Sequence, residues 1–144
     1  MSVADPPQSS DFAAVLRSAR VIAVVGLSAN PDRDSHGVAR YLQRHGYRII
    51  PVNPNETEIL GERCYARLED IPERVDIVDV FRRPDAVPAI AAAAVRIGAA
   101  ALWLQEGVTH GAAEAAARAA GLFVVSDRCI AKEHHAIVDK SGSS

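Results

Sequence analysis

Val21-Ile22-Ala23-Val24-Val25-Gly26-Leu27-Ser28-Ala29-Asn30-Pro31-Asp32-Arg33-Asp34-Ser35-His36-Gly37 is the stretch that decides the fold. Five apolar residues in a row, with no polar alternation, describe a strand covered on both faces, as in a parallel sheet. Gly26 ends the run. A helix is expected from about Ser35 to His45, burying Val38, Tyr41 and Leu42, with Gly46 suited to the left-handed position after its last turn. A buried strand, a glycine turn and a helix make the first half of a βαβ unit.

The same alternation continues in both directions. Upstream, a short helix starts at Asp11 with Ser9 or Ser10 as its cap and Phe12, Val15 and Leu16 on one face. Downstream come a strand from Tyr47 to Val52 and a short connection at Asp70-Ile71-Pro72. A strand from Val75 to Val80 follows, whose two aspartates suggest a sheet edge. An alanine-rich helix from about Asp85 to Ile97 precedes a strand from Ala100 to Leu104. A second such helix, from about His110 to Ala120, precedes a strand from Leu122 to Ser126, and a terminal helix lies near Ile130 to His135. Short strand–helix spacing forces parallel pairing through right-handed crossovers. The expectation is an α/β domain with a doubly wound five-stranded parallel sheet, ordered 3-2-1-4-5. It covers residues 11–138, between flexible tails at 1–10 and 139–144.

Composition narrows the function classes. The chain has 144 residues, 49% of them hydrophobic, enough for one domain with a true core. A net charge of −2, with no basic stripe among aromatics, argues against nucleic acid or an anionic membrane as partner. The two cysteines, Cys64 and Cys129, make no disulfide framework, and no leader-like apolar stretch is seen, so a reducing cytoplasm is expected. The edge expected at Val75 to Val80 could pair across a homodimer.

In doubly wound sheets, ligands bind beyond the carboxyl ends of the strands, where the order reverses. The loop after the first strand therefore carries most weight. Gly26 permits a tight turn, the helix start offers N–H groups and a positive dipole end, and Ser28, Ser35 and Arg33 add donors suited to phosphate. There is no Gly-x-Gly-x-x-Gly, and Val52-Asn53-Pro54-Asn55 lacks the acid that bonds a ribose 2′-hydroxyl, which disfavours NAD. Nor is there a Gly-x-x-x-x-Gly-Lys-Ser/Thr loop. A phosphorylated ligand without either signature remains.

Several segments, in order, carry a resemblance. They are Val24 to Ser28 with Asn30-Pro31, Arg33 and Ser35; Gly46-Tyr47; Pro51 to Pro54; Ile59-Leu60-Gly61; and Leu68 to Pro72. Val80 to Arg83, Trp103 to Gly107, and Asp127-Arg128-Cys129 with Glu133 complete the set. Over roughly four-fifths of its length the chain resembles the YccU-like small CoA-binding proteins, relatives of the CoA-binding domain of the succinyl-CoA synthetase α subunit. The resemblance implies a Rossmann-like domain that binds coenzyme A or an acyl-CoA without a reaction of its own. It implies cofactor contacts at Gly26, Leu27, Ser28, Ala29, Asn30, Arg33, Ser35, His36 and Gly37 for the phosphates. Val52, Asn53, Pro54, Phe81 and Arg82 would meet adenine and ribose, and the pantetheine arm would pass Gln105 and Cys129.

The remaining residues have readings of their own. An aromatic beside two cations, Phe81-Arg82-Arg83, suits a base-plus-phosphate ligand. Trp103 reads as core, with Gln105 just beyond it better placed for a ligand. Cys129, next to Arg128 and a helix start, is either a small buried residue or a thiol activated to form a mixed disulfide with CoA. Cys129, Glu133, His134 and His135 lack the paired spacing of a metal site. His45 and His110 lie at helix ends, facing solvent. Two alternatives stay open. One is a subunit of an NDP-forming acyl-CoA synthetase; the other is an NADP-binding oxidoreductase-like domain, since Arg33, Arg82 and Arg83 could meet a 2′-phosphate.

Overall fold

The computed structural model describes residues 9–142. Helix α1 (Ser9–Ser18) leads into β1 (Val21–Val25), whose central residues Ile22, Ala23 and Val24 are wholly buried. Helix α2 (Asp34–Arg44) returns to β2 (Arg48–Val52). A small hairpin follows, β3 (Glu58–Ile59) and β4 (Glu62–Arg63), and then β5 (Ile77–Val80). The chain continues through α3 (Val87–Arg96), β6 (Ala101–Leu104), α4 (Gly111–Ala119), β7 (Phe123–Val125) and α5 (Ile130–Gly142). Of the tails expected at 1–10 and 139–144, residues 1–8 and 143–144 lie outside the described residues. Helix α5 runs past the expected boundary at 138.

The five long strands are all parallel and lie in the order β2-β1-β5-β6-β7. This is the expected five-stranded α/β, Rossmann-like sheet, with one correction. Numbered along the chain, its strands run 2-1-3-4-5 rather than 3-2-1-4-5. Strand β5 is central, between β1 and β6, and its four residues are wholly buried. Neither of the aspartates that suggested an edge faces solvent from an outer strand. Asp76 stands just before β5, and its Oδ2 accepts hydrogen bonds from the N–H groups of Arg20 and Val21, each at 2.9 Å. Asp79 lies inside, and burial raises its pKa well above the ordinary carboxylate value. With β5 inside the sheet, the edge offered for homodimer pairing does not exist there. The outer strands are β2 and β7, and Pro51, which cannot donate to a ladder, sits in one of them.

Two apolar layers sandwich the sheet. On one face, α3 and α4 pack Ala91, Ala94, Ala113 and Ala117 against Ala23, Val78, Leu102 and Val124. Alanine lets helix and sheet approach closely. On the other face, α1, α2 and α5 supply Phe12, Leu16, Leu42 and Ile130 against Val24, Ile77 and Trp103. Trp103 is core, as expected; its ring lies 5.5 Å from that of Phe12, and its Nε1 donates to the Arg128 carbonyl at 2.9 Å. The hairpin was not foreseen. Its turn is Leu60-Gly61, both at positive φ, as a two-residue turn matching strand twist requires.

Candidate functional site

The new strand order moves the switch point. From β1 the chain crosses to β2 on the α2 face, whereas from β5 it crosses to β6 on the α3 face. The reversal therefore falls between the adjacent ends of β1 and β5, not between the first and fourth strands. Gly26 and Phe81 are its lips. Gly26 has φ +86°, its N–H donates to the Val52 carbonyl at 2.9 Å, and Phe81 N–H donates to the Val25 carbonyl at 2.8 Å. A Cβ on Gly26 would overlap the Phe81 carbonyl oxygen and come within 2.9 Å of Arg82 Cδ. The glycine is thus required by the packing of β1 against the end of β5, in addition to its turn.

The loop from Gly26 to α2 is braced by its own polar groups. Ser28 N–H donates to Ser35 Oγ at 3.0 Å, Asn30 N–H to Ser28 Oγ at 3.1 Å, and Asp32 N–H to Asn30 Oδ1 at 2.9 Å. Asn53 Nδ2 ties the loop to β2 through the Leu27 carbonyl at 3.0 Å, while its Oδ1 accepts from Asn55 N–H at 2.9 Å. The two serines shape the loop as well as lining the crevice, whereas Asn53 shapes the loop and lines none of the hollows around it. The N–H groups of Asp34 and Ser35, in the first turn of α2, make no hydrogen bond among the described residues. They border a hollow of about 350 Å³ lined by Gly26, Ser28, Arg33, Asp34, Ser35 and Phe81. Arg33 forms no ion pair among the described residues. Asp34 is the carboxylate that opposes it there.

Arg33, Asp34 and Phe81 also border a groove of about 580 Å³, within the usual size range of ligand sites, so hollow and groove are continuous. The far wall of the groove comes from Gln105, Glu106, Cys129 and Lys132, and its α2 side from Gly37, Val38 and Tyr41. Tyr41 Oη and His134 Nδ1 are 2.8 Å apart, bracing α2 to α5 behind this wall. Burial, then the neighbouring His45 and His135, hold His134 below the ordinary histidine value. Lys132 Nζ donates to both Glu106 oxygens, at 3.1 and 3.3 Å, which raises the lysine's pKa. Across the lips, a third hollow of about 420 Å³ on the α3 face is lined by Val52, Pro54 and Arg82, together with Leu68, Ile90 and Arg96.

Of the residues singled out from the sequence, Gly26, Ser28, Arg33, Ser35, Gly37, Phe81, Gln105 and Cys129 line the hollow or groove. Val52, Pro54 and Arg82 line the third hollow. Leu27 is wholly buried, and its carbonyl is already held by Asn53. Ala29, Asn30 and His36 line none of the three. Arg128, expected beside Cys129, instead pairs with Glu133 at 3.3 Å and covers the Phe12 ring at 5.2 Å. His110 caps α4 by accepting from Ala113 N–H at 3.2 Å rather than standing in solvent. Tyr41 and Lys132 were missed, although helical spacing from Val38 and Cys129 puts them on the same faces. Among the described residues, no group of three or more His, Cys, Asp and Glu could hold a metal ion, and no helix is long and apolar enough to cross a membrane.

A family model described as a CoA binding domain matches residues 20–135. The chain belongs to this CoA-binding domain family. A Bacillus subtilis relative, the uncharacterized protein YneT, is 38% identical over 89% of this chain and 95% of its own. Among solved structures, a hypothetical protein from Pyrococcus horikoshii superimposes with a TM-score of 0.89 at 35% identity, covering 96% of this chain and 99% of the other. The CoA-binding domain is also similar to part of a much larger enzyme, the Archaeoglobus fulgidus acetate–CoA ligase (ADP-forming) II. There it is 32% identical over 54% of this chain but spans only 12% of the ligase.

Proposed function

We propose that this domain binds coenzyme A or an acyl-CoA across the mouth between β1 and β5, as a non-catalytic carrier, sensor or accessory module. The observation that carries the reading is the hollow at Gly26–Ser35. The loop answers most of its own hydrogen bonds yet leaves Arg33 and the first-turn N–H groups of α2 uncommitted, which suits a diphosphate. Family membership supplies the rest of the ligand's identity. Phosphates at the hollow put adenine and ribose toward Val52, Pro54 and Arg82, and the pantetheine arm along the groove toward Gln105 and Cys129. Localisation in the cytoplasm, where CoA is plentiful, fits this reading.

NADP is the weaker candidate. The first loop lacks the Gly-x-Gly-x-x-Gly spacing that seats a dinucleotide pyrophosphate, and the family model that matches the chain is a CoA binding domain. The similarity to ADP-forming acetate–CoA ligases favours a second reading, in which the domain serves as the CoA-holding part of an acyl-CoA synthetase built with other chains. Titration calorimetry with CoA, acetyl-CoA and NADP tests the first reading. CoA should bind with micromolar affinity and resist displacement by NADP. Absence of heat with CoA, or its displacement by equimolar NADP, would refute CoA binding. Formation of acetyl-CoA from acetate, ATP and CoA by the purified chain would refute the non-catalytic role.

A further inference from the structure

Two features at the far end of the groove have no task in binding phosphates. Cys129 precedes the first residue of α5 and is 9% exposed, so that what reaches it comes along the groove it lines. Gln105 is 5% exposed and lines the same groove. Its Oε1 accepts from Ile130 N–H at 3.1 Å, which fixes the side chain, whereas its Nε2 makes no hydrogen bond among the described residues. This amide donor opens onto the groove without a protein acceptor, which suits a ligand that brings one. The groove therefore joins an anion hollow at one end to an amide donor and a thiol at the other.

We propose that Cys129 is a site of reversible thiolation, forming a mixed disulfide with the thiol of CoA; this deepens the CoA reading and rests on it. The pantetheine arm carries amide carbonyls able to accept from Gln105 Nε2, and it ends in a sulfur. The co-reactant is CoA disulfide. Cys129 Sγ, as thiolate, attacks one sulfur of that disulfide. The old S–S bond breaks, a new one joins Sγ to one CoA, and the second CoA leaves as a thiolate that takes up a proton. One disulfide replaces another, so no outside oxidant is needed, and free thiol reverses the step. Lys132, three residues on, lines the same groove with its Nζ held by Glu106. Cys64 is an internal control. It is also buried, but its Sγ donates to the Asn53 carbonyl at 3.4 Å, burial pushes its thiol up, and it lines none of the grooves around the mouth.

The test is intact-mass spectrometry of the reduced chain after exposure to CoA disulfide or to glutathione disulfide. One CoA adduct should form, vanish with dithiothreitol, survive in Cys64→Ser and be absent from Cys129→Ser. It should form about tenfold or more faster than the glutathione adduct, because the seated ligand raises the local concentration of the disulfide. Equal rates with the two disulfides, or an adduct mapped to Cys64, would overturn the proposal. So would absence of an adduct in a chain that still binds CoA by calorimetry, and that result leaves the binding reading standing. Loss of both calorimetric binding and adduct removes the two together. Should Cys129→Ser fail to fold, peptide mapping of the wild-type adduct identifies the modified cysteine directly.

Discussion

The two ends of the sheet treat their charges differently. At the amino end, Arg48 grips Glu73 with two nitrogens, at 2.6 and 2.8 Å, and reaches Glu62 at 3.2 Å; Asp76 takes the N–H groups of Arg20 and Val21. The Arg48 guanidinium holds the Glu73 carboxyl below its ordinary value. At the carboxyl end, Lys132 and Arg128 are paired with Glu106 and Glu133, but Arg33, Arg82 and Arg83 stand around the mouth with no ion pair among the described residues. The contrast separates charges committed to structure from charges left for a ligand. It also makes the two ends comparable by mutation.

Glycines give the largest test. Gly26, Gly46, Gly98 and Gly121 all have positive φ, but a Cβ meets open space at the last three, which follow helices at the amino end. At Gly26 it meets the backbone of Phe81. Gly46→Ala should cost only the conformational penalty of about 1–2 kcal/mol. Gly26→Ala adds overpacking and should lose about 2–5 kcal/mol in all. Urea denaturation of both variants checks the difference, and equal losses would mean that the β1–β5 contact is slack.

The two aspartates near β5 carry the same contrast into the core. Asp76 is hydrogen-bonded; neither oxygen of Asp79 has a partner of adequate geometry, and Asp79 is wholly buried. Desolvation raises its pKa well above 3.8, outweighing the nearby Val80 N–H. The folded state therefore holds this carboxyl neutral while the unfolded chain ionises it. Its contribution is fully present below the unfolded pKa and is lost as pH rises from there through the folded pKa. Asp79→Asn removes that loss. Relative to wild type, the variant should gain about 1.4 kcal/mol per pH unit across that window. Urea midpoints from pH 4 to pH 8 measure the gain, and a difference that does not change with pH would show that Asp79 does not stay neutral in the fold.

These tests bear on what a sequence can disclose. The strands were legible because continuous apolar runs such as Val21–Val25 report burial on both faces. Their order was not, since burial does not name a strand's neighbours, and Asp76 and Asp79 resemble solvent-facing residues until the N–H groups of Arg20 and Val21 and the complete burial of Asp79 are seen. The hairpin at Glu58–Arg63 has two residues per strand, too few for any periodicity. Within the mouth, the glycine, serines and Arg33 of the first loop could be picked out by type and position. That Ser28, Ser35 and Asn53 are occupied in holding the loop is a matter of geometry. Tyr41 and Lys132 enter from helices α2 and α5, which only tertiary packing brings together.

The smallest effects compare two arginines directly. Arg33→Ala removes a cation from the hollow beside Gly26 but breaks no ion pair among the described residues, so stability should change by no more than about 0.5 kcal/mol. CoA affinity should fall by about 1–3 kcal/mol through loss of a charge-assisted contact to phosphate. Arg48→Ala should do the reverse. It breaks a doubly bonded pair, but the Arg48 side chain is 52% exposed, so the cost to stability is at most about 1 kcal/mol and CoA affinity is unchanged. Calorimetry and urea midpoints on both variants give four numbers. If Arg33→Ala lowers stability as much as Arg48→Ala does, or binds CoA as tightly as wild type, the carboxyl-end arginine is part of the scaffold after all, and the distinction between the two ends of the sheet no longer marks a ligand site.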